Sequence, residues 1–490
     1  MTFDDKKDWP IMPHTESVAT PSPLSEATSE VTSEAAAEAG EMPEPDWEKV
    51  LSGASTLSRL STISTTVGGA ALRWVGATYL GAQGQSEKHA LQLHDILGDL
   101  KGPIMKIAQL LSTIPGALPP AYSAALSKLH AHAPPMGWPF VRRRMAGELG
   151  PAWQQHFAHF DRAAVAAASL GQVHKATHLD GTPLAVKLQY PDMGRIMKSD
   201  LSQLKFFLSL YETVNKALET KELYEELQAR LLEELDYDRE AAHLKCYALI
   251  FQDHPHIHVP MTYPALSTNR LLTMTWQEGR PLTQMMTCPQ ETRDDIATMI
   301  FTAWYKPLYH YGVIHGDPHF GNYSFPAAGG VNLLDFGCVR FFDGAFVGSI
   351  IALYRALESQ DKAALVHAYE AWGFTNLSND LIDTLTEWAQ FLYDPLLDNR
   401  VRTIDAHHQG RTGHVIAANV HKKLHAAGGV CPPKEFVLMD RAAVGMGAAC
   451  MKLQAKANWH ALYESLIENF EATQVDARQE KLRAAASLSS

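Results

Sequence analysis

The sequence predicts an α+β fold of two lobes, in which a small lobe with an antiparallel sheet precedes a larger helical lobe. Two strand-like segments, 173–178 and 184–188, flank Asp180 and Gly181, a pair that tolerates the positive φ of a tight hairpin turn. After about residue 283 the pattern is mostly helical. Between these regions lies a long acidic helical run, in which leucine recurs every four residues at Leu223, Leu227, Leu231 and Leu235.

Composition and periodicity divide the chain into four segments. Residues 1–50 are rich in Pro, Ser, Thr, Ala and Glu and poor in large apolar groups, which predicts a disordered acidic tail. Residues 51–150 show helical spacing of apolar residues and are predicted to form a helical extension. We expect the small lobe in residues 151–275 and the helical lobe in residues 276–480.

Bulk composition excludes several classes of protein. With 490 residues, 46% of them hydrophobic, the chain can bury a large core and is predicted to hold more than one domain. Its five cysteines form no CxxC pair, which fits neither a disulfide framework nor a cysteine-based zinc site and favours a reducing compartment. The net charge of −12 comes mostly from the acidic tail and no basic stripe is present, so no nucleic-acid partner is expected.

The N-terminal sequence predicts a cytoplasmic location. It has neither the charged-then-apolar pattern of a secretion signal nor the Arg-rich, acid-poor composition of a mitochondrial transit peptide. The most apolar early segment, about 60–82, is interrupted by Arg73 and contains many polar residues. It falls short of the length of a membrane span, so no transmembrane helix is expected.

The strongest functional signal is segment 315–322, His-Gly-Asp-Pro-His-Phe-Gly-Asn, followed by an apolar strand and Asp335-Phe336-Gly337. In phosphoryl transfer, a protein mainly positions the acceptor and neutralises charge with Mg²⁺. Asp317 is the predicted catalytic-loop carboxylate, and Asn322 and Asp335 are the predicted Mg²⁺ ligands. Because the two motifs occur in this order, they predict binding of ATP or ADP with Mg²⁺ far more specifically than a DFG alone.

An alternative interpretation makes His315, Asp317 and His319 the ligands of Zn or Fe in a hydrolase, since imidazole and carboxylate together suit these metals. A regular strand would place the three side chains on one face. Gly316 and Pro318 disfavour such a strand, so the phosphoryl-transfer interpretation is preferred.

Residues upstream of this segment supply the remaining groups of a nucleotide site. Lys187 ends an apolar strand, as expected for a lysine that contacts the α and β phosphates. Glu240 is its predicted partner, whereas Glu234, six positions earlier on the same predicted helix, should face another way. One hairpin before Lys187, small residues would allow the backbone to approach phosphates closely, so the predicted nucleotide-binding residues there are Ala167, Ala168, Ser169 and Gln172.

Two further motifs are typical of one family. Lys106-Ile107-Ala108-Gln109 is similar to a KxGQ motif, and Glu234-Leu235-Asp236 is similar to an ExD motif. With these motifs, and with alanines replacing kinase glycines in the nucleotide loop, residues 90–350 closely resemble the UbiB family of atypical kinases, which is associated with coenzyme Q biosynthesis. Two positions depart from the family pattern, because Ala108 replaces a glycine and Phe320 replaces a proline. Neither change removes a charged or metal-binding group.

The resemblance implies a regulatory role for the extension. In the family, the KxGQ segment folds over the active site where a protein substrate would otherwise dock, and the ExD motif faces its lysine. Lys106, Gln109, Glu234 and Asp236 are therefore expected to regulate the site. The resemblance also places the adenine near Met274 and Thr275.

The resemblance further implies ATP binding or hydrolysis that supports ubiquinone production. An isoprenoid lipid or quinone precursor is an expected partner. Segment 54–82 is expected either to contact the inner membrane peripherally or to form a helix that packs on the lobes, because both need the same apolar face. Two other functions fit the same residues. One is a nucleotide-dependent scaffold of a quinone biosynthetic complex without turnover, and the other is a small-molecule or lipid kinase.

Overall fold

The computed structural model of the chain describes residues 136–167, 170–214, 220–317, 320–375, 377–405 and 434–488. All of these residues belong to one compact unit. The acidic tail, the segment 54–82 and the motif residues Lys106 and Gln109 lie outside the described residues, as do Ala168, Ser169 and His319.

The small lobe is built on a four-stranded sheet in the order β1-β2-β3-β5, with every neighbouring pair antiparallel. The predicted hairpin is confirmed, because Asp180 and Gly181 connect two paired strands. Strand β1 precedes both predicted strands, which correspond to β2 and β3. The strands are β1 (Phe157–Ala167), β2 (Gly171–His178), β3 (Pro183–Gln189) and β5 (Leu271–Thr275).

Helix α1 (Trp138–Leu149) covers one face of this sheet. Val141 and Met145 are fully buried and join a core made by alternate residues of β3, namely Leu184, Val186 and Leu188. Pro139 occupies the first turn of α1, where the missing N–H has no helical partner in any case. This packing favours including α1 in the small lobe, while the boundary at residue 150 stays a prediction.

The acidic helical run forms three helices, α2 (Met193–Val214), α3 (Thr220–Glu233) and α4 (Tyr237–Ile250). The expectation of one continuous helix through Glu234 and Glu240 is wrong. Asp236 is the N-cap of α4, and its side chain accepts the backbone N–H of Arg239 at 3.0 Å. Because the helix restarts there, the angle between Glu234 and Glu240 does not follow from a single helical period.

The second lobe is mostly helical, as predicted, with short strands near its junction with the small lobe. Its helices are α5 (Leu282–Met285), α6 (Gln290–Tyr311), α7 (Gly344–Ser359), α8 (Lys362–Ala371), α9 (Asn379–Tyr393), α10 (Lys434–Leu453), α11 (Trp459–Ile467) and α12 (Ala472–Ala486). Its strands are β6 (Val313–His315), β7 (Tyr323–Ser324), β8 (Val331–Leu333), β9 (Val339–Phe341), β10 (Arg402–Thr403) and β11 (Lys456–Ala457).

The strands pair in three small sheets. Strand β8 is the predicted apolar strand before Asp335, and it lies between β7 and β4 (Ile257–His258). The other sheets are β6-β9 and β10-β11. Among the residues that the structure describes, no helix combines the length and apolar character needed to cross a membrane.

Helix α12 joins the lobes, because it packs against α4, α6 and α7. Gln479 donates its side-chain amide to the carbonyl of Tyr311 (3.0 Å), the last residue of α6, and to that of Phe342 (2.7 Å), which follows β9. Asp476 accepts the N–H of Gly344 at 2.6 Å at the start of α7. The last helix of the described chain therefore holds together the segments on either side of the predicted catalytic motifs.

The connection between the lobes, residues 276–281, is tied to both. Trp276 donates its N–H to the carbonyl of Pro183 in the small lobe at 2.9 Å, and Arg280 exchanges two backbone hydrogen bonds with Phe325, each 2.9 Å long. Gly279 lies against the second lobe so closely that a Cβ there would be 2.6 Å from Oγ of Ser324 and 2.8 Å from the backbone nitrogen of Phe325. Only glycine fits this contact.

We expect Gly279→Ala to destabilise the protein by about 1–3 kcal/mol, the typical cost of overpacking against a backbone that cannot yield. The matched control is Gly147→Ala in α1, where an added Cβ meets nothing within 4 Å. It should be neutral or stabilise by up to about 1 kcal/mol. Urea unfolding of both variants measures the difference, and equal stability of the two would contradict this account of the connection.

Candidate active site

Lys187 and Glu240 form a buried ion pair between the sheet and α4. Lys187 Nζ lies 2.6 Å from Oε1 and 2.9 Å from Oε2 of Glu240. The side chains are only 12% and 5% exposed. The structure thus brings together the two residues that the sequence pairs, although the helix break at Asp236 separates Glu240 from α3.

Asp335 brings the second lobe to the same lysine. Its Oδ2 lies 3.5 Å from Lys187 Nζ, while its Oδ1 accepts the backbone N–H of Gly337 at 3.0 Å. Asp335 is 41% exposed, in contrast to its two neighbours, so its carboxylate borders the open cleft. The three charges therefore join a strand and a helix of one lobe to the DFG segment of the other.

The electrostatics keep the lysine charged. Burial alone would lower the pKa of Lys187, but the charges of Asp335 and Glu240 raise it well above its ordinary value. Burial raises the pKa of Glu240, and the Lys187 ammonium opposes that shift. The Lys187 ammonium also lies 5.2 Å from the ring centroid of Tyr237, a cation–π contact. Burial raises the pKa of the Tyr237 hydroxyl, so it stays protonated.

His315 fixes the backbone of the two predicted catalytic segments relative to each other. Its Nδ1 accepts the N–H of Asp317 at 3.2 Å, so its Nε2 carries the hydrogen and donates to the carbonyl of Asp335 at 2.5 Å. Both ring nitrogens are thereby used, which argues against His315 as a metal ligand in a hydrolase. This positioning role is visible only in the structure.

Asn322 and Asp335 offer oxygen atoms that fit Mg²⁺. The side-chain N–H₂ of Asn322 donates to the carbonyl of Asp317 at 3.0 Å, which orients the amide and leaves its Oδ1 as an acceptor. The N–H of Leu334 donates to the carbonyl of Asn322 at 3.0 Å and holds this loop beside the DFG segment. An amide oxygen and a carboxylate are hard ligands of the kind that Mg²⁺ prefers.

Strand pairing shows which residues share the face of the sheet that carries Lys187, here called the cleft face. Directly opposed residues share a face, so Val173 and Leu272 flank Lys187, and Ala185 lies beside Met274. Met274 thus lies on the face of Lys187, where an adenine wall is predicted. Val173, which the sequence does not single out, is a further residue of this face. The sequence could have predicted this position. Side chains alternate between the two faces of a strand, and pairing β2 with β3 through the Asp180–Gly181 turn places Val173 opposite Lys187.

Gln172 lies on the opposite face from Lys187 and is fully buried. Its Oε1 accepts the N–H of Met136 at 2.7 Å, and its Nε2 donates to the carbonyl of the same residue at 3.2 Å. This placement argues against the predicted direct contact between Gln172 and a nucleotide, because neighbouring strand residues face opposite sides. Ala167 pairs with Gln172 at the end of β1, next to the loop residues outside the described part.

The ExD segment lies beside the ion pair. The charge of Glu234 is close enough to contribute to the raised pKa of Glu240, whereas Asp236 is exposed and caps α4. The preceding Glu233 contacts Arg239 at 3.1 Å and also binds Arg340 of β9. Glu233 therefore links α3 and α4 to the strand after the DFG segment, a role that its place in a charged run does not reveal.

Phe320, one of the two departures from the family pattern, has a specific partner. The ammonium of Lys452, in the last turn of α10, lies 3.8 Å from the centroid of the Phe320 ring. A proline could not make this cation–π contact. The predicted catalytic loop is therefore in contact with α10, a helix that lies more than 100 residues later in the sequence.

The phenylalanine of the DFG segment is held from α4. Phe336 is fully buried, with its ring centroid 5.2 Å from that of Tyr247. Nδ1 of His243 lies 3.1 Å from the Phe336 carbonyl, which requires the hydrogen on Nδ1. Burial lowers the pKa of His243 to about 4.

His243 should make stability fall with acidification. Its folded-state pKa of about 4 lies below the ordinary 6.5, so the unfolded chain binds this proton more readily between those values. Stability contributed by neutral His243 is complete above pH 6.5 and is lost towards pH 4, by up to about 3 kcal/mol. We expect His243→Gln, which can still donate to Phe336, to show a shallower loss in urea unfolding at pH 7, 5.5 and 4.5. An unchanged pH slope would contradict the role of His243.

A strand lysine paired with a helix glutamate, a catalytic loop with Asp and Asn, and a DFG aspartate beside that lysine define a protein-kinase-like site. Residues 128–369 match the family described as the ABC1 atypical kinase-like domain. These residues are therefore an ABC1 atypical kinase-like domain, which confirms the resemblance of the chain to the UbiB family of atypical kinases.

Individual relatives cover most of the chain. It is 26% identical over 393 residues to rat "Atypical kinase COQ8B, mitochondrial", covering 79% of this chain and 74% of the relative. It is 27% identical over 379 residues to "Atypical kinase COQ8, mitochondrial" of Saccharomyces cerevisiae, with coverages of 75% and 74%. It covers only 52% of Caenorhabditis elegans "Atypical kinase coq-8, mitochondrial", which is 27% identical over 394 residues.

A solved structure confirms the predicted fold class. The structure of Rv3197 with erythromycin, from Mycobacterium tuberculosis, matches with a TM-score of 0.57 and 28% identity. The match covers 80% of this chain and 98% of the other. The two-lobed, kinase-like α+β fold is thus shared with a relative of known structure.

Proposed function

We propose that the chain binds ATP or ADP with Mg²⁺ between its lobes and catalyses phosphoryl transfer as an atypical kinase or ATPase. The contact of Lys187 with both Glu240 and Asp335 carries this proposal, because it joins the lysine, helix glutamate and DFG aspartate of a kinase site. Lys187 would contact the α and β phosphates while Glu240 holds its ammonium in place.

The remaining groups have separable roles. Asn322 and Asp335 would hold Mg²⁺, which neutralises charge on the transferred phosphoryl group when bound. Asp317 would accept the proton of the attacking hydroxyl or water. Met274 would line the adenine, and Ala167, Ala168 and Ser169 would let the backbone approach the phosphates. Gln172 would not contact the nucleotide, because it is buried on the opposite face of the sheet.

Replacing the DFG carboxylate tests this proposal. We expect Asp335→Asn to weaken binding of Mg·ATP by at least about 100-fold, or about 2.8 kcal/mol, because the amide removes the negative charge facing the metal. Isothermal titration with and without Mg²⁺ measures the loss. The control is Asp343→Asn, where the side chain caps α7 and an amide can cap equally well. Unchanged affinity for Mg·ATP in a folded Asp335→Asn protein would contradict the assignment of Asp335 as a Mg²⁺ ligand.

The acceptor is proposed to be a small molecule, a lipid or water. Protein kinases carry an activation loop between the DFG segment and the next helix. Here β9 starts at Val339 and pairs with β6, and α7 begins at Gly344, so the fully described interval 338–343 is a strand and a tight connection. This interval offers no platform for an extended peptide.

The family resemblance leads us to propose ubiquinone biosynthesis as the process served, through an isoprenoid or quinone precursor or the enzymes that act on it. A scaffold that binds nucleotide without turnover is the alternative. Mass spectrometry of extracts from cells lacking the chain, with Asp317→Asn or wild type restored, separates them, because Asp317→Asn removes the proposed base and leaves the proposed Mg²⁺ ligands in place. Wild type alone should clear accumulated quinone precursors if turnover is needed, whereas equal rescue by both proteins supports the scaffold.

The KxGQ-type segment is proposed to regulate the site. Lys106 and Gln109 are three positions apart and would share a helix face, with Glu234 and Asp236 as the family's counterpart. We expect Lys106→Ala and Gln109→Ala each to change the ratio of ATP to ADP affinity or the basal turnover severalfold, without altering Lys187. If both variants match wild type in affinity and turnover, the regulatory role is untenable.

Peripheral membrane contact through segment 54–82 is the remaining proposal, and a cytoplasmic location on the inner membrane goes with it. The segment combines spaced apolar residues with Arg59 and Arg73, which suits an anionic surface. Flotation with anionic liposomes should carry the full chain but not a chain starting at residue 85. Equal flotation of both would remove the segment as the anchor.

A further inference from the structure

Gln172 is a fully buried polar side chain at the start of β2, one residue beyond the point where the chain leaves the proposed nucleotide loop. It makes no contact on the cleft side. Instead, its amide pairs with both backbone groups of Met136, which is distant in sequence and precedes α1. The Gln172 side chain thus makes the two backbone hydrogen bonds that a neighbouring strand would give to Met136.

His174 fixes the orientation of the Gln172 amide. Nδ1 of His174 donates to the carbonyl of Asp161 at 2.8 Å, so its Nε2 is an acceptor. The Gln172 Nε2 donates to that nitrogen at 2.8 Å and therefore cannot exchange places with Oε1. His174 is fully buried and stacks on Phe160, and burial lowers its pKa, which keeps it neutral. Every polar atom of the Gln172 side chain thus has a partner.

The neighbouring residue, Gly171, contacts the catalytic side of the same strand. A Cβ at Gly171 would lie 2.5 Å from the carbonyl oxygen of Leu188 and 2.8 Å from the hydroxyl of Tyr237. Tyr237 is the ring that faces the Lys187 ammonium. The first two residues of β2 are therefore held from opposite faces of the sheet. Gln172 is hydrogen-bonded to the Met136 backbone, and Gly171 packs against Leu188 and Tyr237 beside Lys187.

We propose that Gln172 is a positioning residue that ties the end of the nucleotide loop to the backbone at Met136, two residues before α1 begins. The inference rests on the proposed nucleotide site and adds a connection between that site and the segment that precedes α1. A displacement of residue 136 moves Gln172, and because Gly171 has no space to yield, the movement reaches Tyr237 and Lys187.

Hydrogen exchange tests the tie without any nucleotide. In the wild type, the Met136 amide should exchange at least about 100-fold more slowly than an unprotected amide, because it is buried and bonded to Gln172. In Gln172→Met, which keeps the side-chain length but loses the hydrogen bonds, exchange should accelerate together in peptides covering Met136 and the start of β2. An unprotected Met136 amide in the wild type overturns the proposal, even if the variant fails to fold.

The control is Thr273→Val in β5. Thr273 is also fully buried on the core face of the sheet, and its hydroxyl donates to the carbonyl of Leu266 at 2.6 Å. Both variants lose buried hydrogen bonds and should lower the melting temperature. Only Gln172→Met should accelerate exchange at the two distant peptides. Acceleration of both peptides to the same extent in Thr273→Val means general loosening and overturns the proposal.

Titration with Mg·ADP then tests whether the hydrogen bonds between Gln172 and Met136 affect the affinity for nucleotide. Gln172→Met should bind about 10-fold more weakly, while Thr273→Val should bind as wild type does. If the wild type binds and Gln172→Met binds equally well, the positioning role fails and the proposed function stands. If the wild type does not bind Mg·ADP or Mg·ATP, the proposed function fails, and the exchange result alone decides whether Gln172 ties the two segments.

Discussion

The buried ion pair between Lys187 and Glu240 is the constraint on which the rest of the site depends. A carboxylate that is only 5% exposed is costly to bury, and its attraction to a lysine roughly offsets that cost rather than adding stability. The packing around it must supply the stability. Strand β3, the capped start of α4 and the DFG segment all meet at this pair. If any of these elements were displaced, a buried charge would lose its partner.

The contacts that secure this convergence are mostly long-range. His243 and His315 hold backbone carbonyls of Phe336 and Asp335 from two different elements. Glu233 joins the end of α3 to β9 through Arg340, and Lys452 reaches the catalytic loop from α10. These side chains carry no reacting group. They set the positions of the residues to which the proposed chemistry is assigned, and a displacement of about 1 Å is enough to impair catalysis of this kind.

Features with local signals were predictable from the sequence, and those set by distant partners were not. The hairpin at Asp180 and Gly181 and the strand before Asp335 follow from turn chemistry and apolar runs. The break at Asp236 was hidden because the leucine spacing continues to Leu235, beyond the end of α3 at Glu233, and a capping aspartate in an acidic run looks like any other. The face of Gln172 follows from the same alternation that places Val173 beside Lys187. Its partner, the Met136 backbone, could not be predicted, because no local pattern relates residues 136 and 172.

Helix α12 has a consequence for how the protein is made. A ribosome completes Lys187, Glu240 and Asp335 long before residues 472–486 emerge, yet this late helix covers α4, α6 and α7. Until it arrives, the apolar faces of those helices are exposed on a nascent chain, the kind of surface that chaperones protect from aggregation. Assembly of the two lobes around the lysine is therefore a late event in biosynthesis, which follows translation of nearly the whole described chain.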